Sequence, residues 1–181
     1  MCYSGYGYVA LKIVPSATHE AEMVQQLVPV SSQTNHPGNQ QIVSLLDCFK
    51  LHGPKLTYDV LVMEPTTGSA ENMKQSTCSM TINAAKKALV KVAAALDLLH
   101  SLGMCHGDFR SGNVCFAIPR VNDLSETEVM GLLGKPEGTV LERWDNEPLH
   151  PLLPRYTISP SPFPYMGQEI QAKLVDFGQG Q

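Results

Sequence analysis

The sequence has few charged residues and no long apolar run. Of 181 residues, 13 are Lys or Arg and 17 are Asp or Glu, which gives a net charge of −4. Because no basic stripe is present, direct nucleic-acid binding is not expected. No stretch approaches the roughly 18 apolar residues of a membrane-spanning helix, and the N-terminus lacks the basic and apolar regions of a signal peptide. The composition therefore predicts neither a membrane partner nor a nucleic-acid partner.

The cysteines form no Cys-x-x-Cys pair, which argues against a redox motif or a zinc ribbon. An odd number of scattered cysteines in a chain of this size indicates reduced thiols, and hence a cytoplasmic or nuclear protein. The five are Cys2, Cys48, Cys78, Cys105 and Cys115.

Apolar residues make up 43% of the chain, enough to bury a core in one domain or two small lobes. The segment 8–14 is rich in β-branched and aromatic residues, and the segment 18–28 has apolar residues at helical spacing. Together these patterns predict a strand over 8–14, a helix over 18–28, and two strands over 42–51 and 58–64 joined by a turn.

The remainder begins with the clearest helical pattern, over 81–101, where apolar residues recur every three to four positions before the helix ends at Gly103. A loop over 104–113 and a short strand over 114–118 follow. Residues 119–172 hold eight of the 13 prolines, and we expect them to be extended and irregular apart from one short helix that opens with a capping box at Ser125. Another strand is predicted over 172–175.

The loop after the long helix contains a spaced motif, His106-Gly107-Asp108 followed by four residues and Asn113. This spacing matches the catalytic loop of protein kinases, in which the Asp orients the substrate hydroxyl and the Asn holds a magnesium ion. Arg110 supplies a cation that can neutralise charge on the transferring phosphoryl group. We therefore predict Asp108 and Arg110 as catalytic residues and Asn113 as a metal ligand, while His106 has a structural role.

Two further motifs fit the same chemistry. Asp176-Phe177-Gly178 follows a short apolar strand, and Asp176 is the expected second magnesium ligand. Lys12 is the last residue of the sequence Val-Ala-Leu-Lys within the first predicted strand. In this position it would bind the α- and β-phosphates and pair with a Glu of the next helix. Glu22 is the preferred partner and Glu20 the alternative.

The segment after the hairpin corresponds to the hinge that binds adenine in a kinase. Met63 occupies the gatekeeper position. The carbonyl of Glu64 and the amide of Thr66 are expected to face adenine, since Pro65 between them has no amide proton.

The chain resembles the fungal SR-protein-kinase-like serine/threonine kinases. The residues that carry this resemblance lie around Lys12, in the segments 43–49 and 98–103, and in the long segment between Asn113 and Asp176. The resemblance implies an α+β, incomplete bilobal kinase-like fold, with a small antiparallel sheet and one helix followed by the start of a helical lobe. It divides the chain into a partial N-lobe (1–64) and a hinge with a partial C-lobe (65–181) that contains an insert over 117–172. It also implies ATP, Mg²⁺, a monomer, and a protein substrate that includes Arg/Ser-rich segments.

The chain departs from the kinase pattern at both ends. No Gly-x-Gly-x-x-Gly loop precedes Lys12, and only three residues follow Gly178. We therefore expect a truncated kinase that transfers little phosphate by itself.

Two other interpretations remain open. The His-Gly-Asp loop with Phe109-Arg110 also occurs in enzymes resembling aminoglycoside phosphotransferases and choline kinases, which phosphorylate small molecules. Against this, Phe177-Gly178 and the Val-Ala-Leu-Lys strand favour protein kinases. The third interpretation is a non-catalytic kinase fragment.

Overall fold

The structure is a computed structural model that describes residues 7–16, 20–31, 35–53, 56–72, 80–145, 147–151, 153–159 and 170–180.

A three-stranded antiparallel sheet forms the first half of the molecule. Its strands are β1 (Ala10–Pro15), β2 (Leu45–His52) and β3 (Thr57–Met63), in the spatial order β1-β3-β2. Strand β3 is therefore the central strand, and it contains apolar and β-branched residues that suit this position. Leu61 in its middle is completely buried. The register places Lys12 of β1 directly opposite Leu61. The lysine is thereby held over the sheet on the face that carries the core.

Helix α1 (Glu20–Ser31) covers this face of the sheet. Ala21, Met23 and Val24 are buried and belong to the same hydrophobic cluster as Leu61. Seen along the helix axis, Val24 lies between Ala21 and Met23, so the three residues form one broad apolar side. The same side carries Glu20, which is only 5% exposed.

Helix α2 (Ile82–Ser101) is the scaffold of the second half. Thr81 caps it by accepting a hydrogen bond from the amide of Ala84 at 3.2 Å. Its buried side packs against the segment around Gly38, where a Cβ would lie 2.1 Å from the carbonyl oxygen of Ala94, so only glycine fits. The buried residues of α2 are Ala88, Val92, Ala95, Leu98 and Leu99.

The insert between the two halves of the site contains more regular structure than the sequence predicts. It begins after strand β4 (Val114–Phe116) and contains helix α3 (Glu126–Leu133), which has the predicted capping box at Ser125. Strands β5 (Gly138–Val140) and β6 (Tyr156–Ile158) then pair antiparallel. The prediction of an extended segment is therefore confirmed at these two strands, and the prediction that they are irregular is wrong, because cross-strand pairing of distant residues leaves no local pattern.

Strand β7 (Ala172–Leu174) returns from the insert and pairs antiparallel with β4. Leu174 also forms a parallel bridge with Ile42, and its carbonyl accepts a hydrogen bond from the amide of Val43 at 3.0 Å. Strand β7 thus connects the segment leading into the first sheet with the loop region of the second half.

The α+β class and the predicted small sheet, helix and long helix are confirmed, and they are consistent with part of a kinase-like fold. The predicted strand over 42–51 begins only at Leu45, and the predicted helix over 18–28 is described from Glu20 onward. Within the described ranges, no helix has both the length and the apolar character required to cross a bilayer.

Candidate active site

A lysine and two carboxylates from three separate elements meet at the centre of the site. The Nζ atom of Lys12 on β1 lies 2.5 Å from Oε1 of Glu20 at the start of α1. It also lies 2.8 Å from Oδ1 of Asp176, just beyond β7. The sheet, the helix and the second half of the molecule are therefore joined through one ammonium group.

The prediction that Lys12 pairs with Glu22 is corrected by this geometry, which brings Glu20 to the lysine instead. Residues two apart in an α-helix point to nearly opposite sides. Glu20 shares its side with the buried Met23 and Val24, whereas Glu22 is exposed. The spacing of Glu20, Met23 and Val24 at i, i+3 and i+4 was the sequence signal that identifies the correct residue.

The three groups change each other's proton affinity. Burial of Lys12 lowers its pKa, but hydrogen bonds to Asp176 and Glu20 outweigh that effect, so the pKa of Lys12 is raised overall. The hydrogen bond from Lys12 lowers the pKa of Asp176, although partial burial acts in the opposite direction. Both shifts favour the charged forms at neutral pH.

These shifts predict how stability depends on pH. A lowered folded pKa means that Asp176 stabilises the fold above its ordinary pKa of 3.8, and that this contribution is lost as the pH falls through the folded value. The raised pKa of Lys12 gives a contribution that is complete below 10.5 and is lost as the pH rises through its folded value. Since both side chains are more than a third exposed, solvent screening keeps the effect small.

The variant Asp176→Asn tests the acid side of this dependence. Between pH 6 and 3 the melting temperature of the wild type should fall more steeply than that of the variant, by no more than about 3 °C. Calorimetry of both proteins across this range measures the difference. Parallel curves would show that the charge on Asp176 does not contribute.

The loop after α2 arranges its polar groups around Asp108. The Nδ2 atom of Asn113 donates to the carbonyl oxygen of Asp108 at 2.8 Å and to its Oδ2 at 2.9 Å. Gly107 has φ +77°, and a Cβ there would lie 1.9 Å from the carbonyl oxygen of Gln179. Glycine is required at this position because both the conformation and the close approach exclude a side chain.

His106 has a structural role in this loop, as the sequence predicts. It is 3% exposed, and its Nε2 atom lies 3.0 Å from the carbonyl oxygen of Val175. Its ring contacts Phe177 with a centroid distance of 4.9 Å. The histidine thus attaches the loop to the segment that carries Asp176.

Backbone pairing brings the two expected metal ligands to neighbouring positions. The amide of Val175 donates to the carbonyl oxygen of Asn113 at 3.0 Å, which extends the β4–β7 ladder by one step. Because Nδ2 of Asn113 donates to Asp108, the amide oxygen is the atom that remains for a cation. Asp176 adopts φ +68°, an uncommon conformation for a residue other than glycine, and its side chain is 46% exposed.

Oxygen atoms of this kind fit Mg²⁺, which prefers hard oxygen ligands and usually takes several of them from water or phosphate. Among the described residues, no group of three or more His, Cys, Asp or Glu side chains is arranged to hold a metal ion. A magnesium ion at Asn113 and Asp176 would therefore need further ligands from water or from the phosphates of a bound nucleotide.

Arg110 bridges two acidic residues at the edge of the loop. Its Nε atom donates to Oδ2 of Asp108 at 3.2 Å, and its Nη1 atom lies 3.5 Å from Oε2 of Glu71. All three side chains are about half exposed. The sequence indicated Arg110 but not Glu71, which lies in a loop without a motif.

An ion pair that the sequence did not predict joins the end of β3 to β7, and its lysine is buried. The Nζ atom of Lys173 lies 2.6 Å from Oε1 of Glu64, and the lysine side chain is only 6% exposed. The same carboxylate oxygen accepts from the amide of Ser44 at 2.7 Å. The Glu64 side chain therefore contacts β7 and the segment before β2.

The other residues predicted for the site lie at the end of β3 and directly after it. Met63 is opposite Ala10 in the β1–β3 register and packs against the main core. Thr66 pairs with Ala117 in an isolated antiparallel bridge. Whether the Glu64 carbonyl and the Thr66 amide contact a base stays a prediction.

A cavity of about 610 Å³ lies between β1, the segment 65–72 and the insert. One end is polar, with Ser69, Glu71, Asn72 and Arg110, and therefore adjoins Asp108. The other end is largely apolar. It is lined by Tyr8, Val9, Ala10, Cys115, Ile118, Val121, Val129 and Leu133.

No protein-family model matches the chain. Serine/threonine protein kinases from two strains of Aspergillus fumigatus are each 32% identical to it over 97 residues. The match covers 52% of this chain and 25% of each relative, so the aligned part is about a quarter of the length of these curated relatives. The similarity supports a kinase-like relationship for the chain.

Proposed function

We propose that this chain is the ATP- and magnesium-binding part of a serine/threonine protein kinase of the SR-protein-kinase-like type, with lobes at 1–64 and 65–181. The observation that carries the proposal is the meeting of Lys12, Glu20 and Asp176 beside the loop that holds Asp108 and Asn113. These residues are separated by up to 164 positions, and their meeting supports the proposal because phosphoryl transfer uses acidic, basic and amide groups of this kind. The similarity to fungal serine/threonine kinases supports the same conclusion.

In this proposal, Lys12 contacts the phosphates of ATP and Glu20 holds the lysine in place. Bound Mg²⁺ would neutralise phosphate charge, and Asn113 and Asp176 would supply its protein ligands. Asp108 would orient the hydroxyl of a serine or threonine and accept its proton. The Asn113 amide donates to the backbone carbonyl oxygen of Asp108 and to one oxygen of its carboxylate, and it thereby fixes the direction of that carboxylate.

Arg110 would move from its present contacts to the transferring phosphoryl group. It lies beside Asp108 but is held by two exposed ion pairs, which are individually weak. The negative charge of a phosphoryl group can therefore compete for it.

Nucleotide binding is tested by measuring the melting temperature of the 181-residue chain with and without Mg-ATP. A ligand that binds only the folded state stabilises it by about 2.7 kcal/mol at a hundred times its Kd. For a chain of this size that corresponds to a rise of roughly 5–11 °C. Mg²⁺ alone and ATP with EDTA serve as controls. No shift at millimolar Mg-ATP would contradict the proposal and favour a non-catalytic fragment.

The acceptor is tested with radiolabelled ATP offered to an Arg/Ser-rich peptide and, separately, to choline and an aminoglycoside. Label on serine of the peptide supports a protein kinase, and strong labelling would also overturn the expectation of weak transfer. Label on a small alcohol instead would support the second class of enzyme, whose loop shares His106-Gly107-Asp108.

A further inference from the structure

The apolar end of the cavity is built largely by the insert. Ile118, Val121 and Val129 are each less than 10% exposed and form a separate hydrophobic cluster. Leu133, at the end of α3, packs against this cluster and lines the cavity. Part of the cavity wall therefore comes from a segment to which the kinase motifs assign no role.

The insert is also joined directly to the chain that enters β1. Oδ1 of Asn122 accepts from the amide of Tyr8 at 2.9 Å, and the hydroxyl of Tyr8 donates to the carbonyl oxygen of Leu124 at 3.0 Å. A Cβ on Gly7 would lie 2.4 Å from Oδ1 of Asn122, so the two segments are in close contact. These bonds span 114 and 116 residues of sequence and keep the insert against the cavity.

We infer that the insert contributes to the nucleotide site through the residues with which it lines the cavity, and that Val129 and Leu133 contact the base and determine specificity for it. This inference rests on the proposed function. A nucleotide has an apolar, planar base at one end and anionic phosphates at the other. The cavity likewise has an apolar end and a polar end. Its apolar end is lined in part by the insert, while its polar end contains Arg110, which contacts Asp108.

The polarity of the two ends fixes the orientation of the ligand. Phosphates placed among Ile118, Val121 and Val129 would lose their hydration without gaining a donor from these side chains, which is costly. A purine ring there gains apolar contact and loses little. The insert should therefore affect the base and leave the triphosphate unaffected.

Leu133→Ala and Val129→Ala, each made in the full 181-residue chain, test this assignment by calorimetric titration with three ligands. These are Mg-ATP, adenosine, and magnesium tripolyphosphate, which lacks a base. Each methylene group removed from contact with the base should weaken binding about fourfold. We expect Kd for Mg-ATP and for adenosine to rise by about fourfold or more, and Kd for tripolyphosphate to stay unchanged.

Met130→Ala is the matched control, because Met130 is on the same helix and 45% exposed, outside the cavity lining. It should leave all three Kd values unchanged. If Val129→Ala fails to fold, as judged by circular dichroism, the inference is tested with Leu133→Ala, because Leu133 is only half-buried.

Three results would contradict either the role of the insert or the proposed function. Unchanged adenosine and Mg-ATP affinity in folded Leu133→Ala would overturn the role of the insert while leaving the proposed function standing. Equal weakening of all three ligands would also overturn it, because it would show that α3 acts only through the general fold. Absence of Mg-ATP binding by the wild type would refute the proposed function, and this inference with it.

Discussion

In Asp176→Asn, the affinity for ATP in the presence of Mg²⁺ is expected to fall at least tenfold, to near the affinity measured in EDTA. The substitution keeps the size of the side chain and an oxygen that can accept from Lys12, but it removes the charge that would attract the metal in the proposed site. Residues that only support a metal ligand typically change affinity by 10- to 100-fold, so loss of a ligand charge should cost at least the lower figure. Titration calorimetry with Mg-ATP, and with ATP in EDTA, measures both values.

Asp123→Asn is the control for this experiment. Asp123 is also an exposed carboxylate that accepts from a cationic side chain, Arg120, but it is not among the residues that line the cavity. It should bind Mg-ATP with wild-type affinity. A Mg²⁺ dependence of ATP affinity that survives in Asp176→Asn would remove Asp176 from the metal site.

Replacing Leu99 by Ala is expected to lower the free energy of unfolding by about 3 kcal/mol. Leu99 is completely buried on α2, in the cluster that also contains Leu174 of β7 and Phe177. Removing three of its carbon atoms loses apolar burial and leaves a cavity beneath the segment that carries Asp176. Because domains of this kind are stable by only about 5–15 kcal/mol, the loss is a large fraction of the total.

Leu89→Ala provides a comparison on the same helix, since Leu89 is 65% exposed. Chemical denaturation of both variants and the wild type measures the difference, and Leu89→Ala should change stability by less than about 0.5 kcal/mol. Similar losses in the two variants would contradict the assignment of which side of α2 faces the core.

Local patterns predicted the elements whose formation depends on nearby residues. The apolar stripe of α2 repeats over 20 residues, and the capping box at Ser125 joins residues only three apart. Asp108 and Asn113 could be paired from sequence for the same reason, because a single short loop brings them together. The sheet strands were predicted with small errors at their ends, since the transition into Leu45 depends on pairing with Met63.

Contacts between distant parts of the chain could not be predicted in the same way. The sequence offered two glutamates for Lys12, and only the packing of α1 against the sheet decided for Glu20. The ion pair between Lys173 and Glu64 spans 109 residues and has no local signature, because an isolated lysine in a short strand is usually exposed.

The sequence by itself determined which functional groups the candidate site contains, because the identities and spacing of Asp108, Asn113, Asp176 and Lys12 are read directly along the chain. Only the tertiary structure decided which carboxylate holds Lys12, which groups join β3 to β7, and that the insert lines the cavity. The physical reason is that side-chain burial and ion pairing depend on how helices and strands pack, and segments more than 100 residues apart meet only when the whole chain has folded.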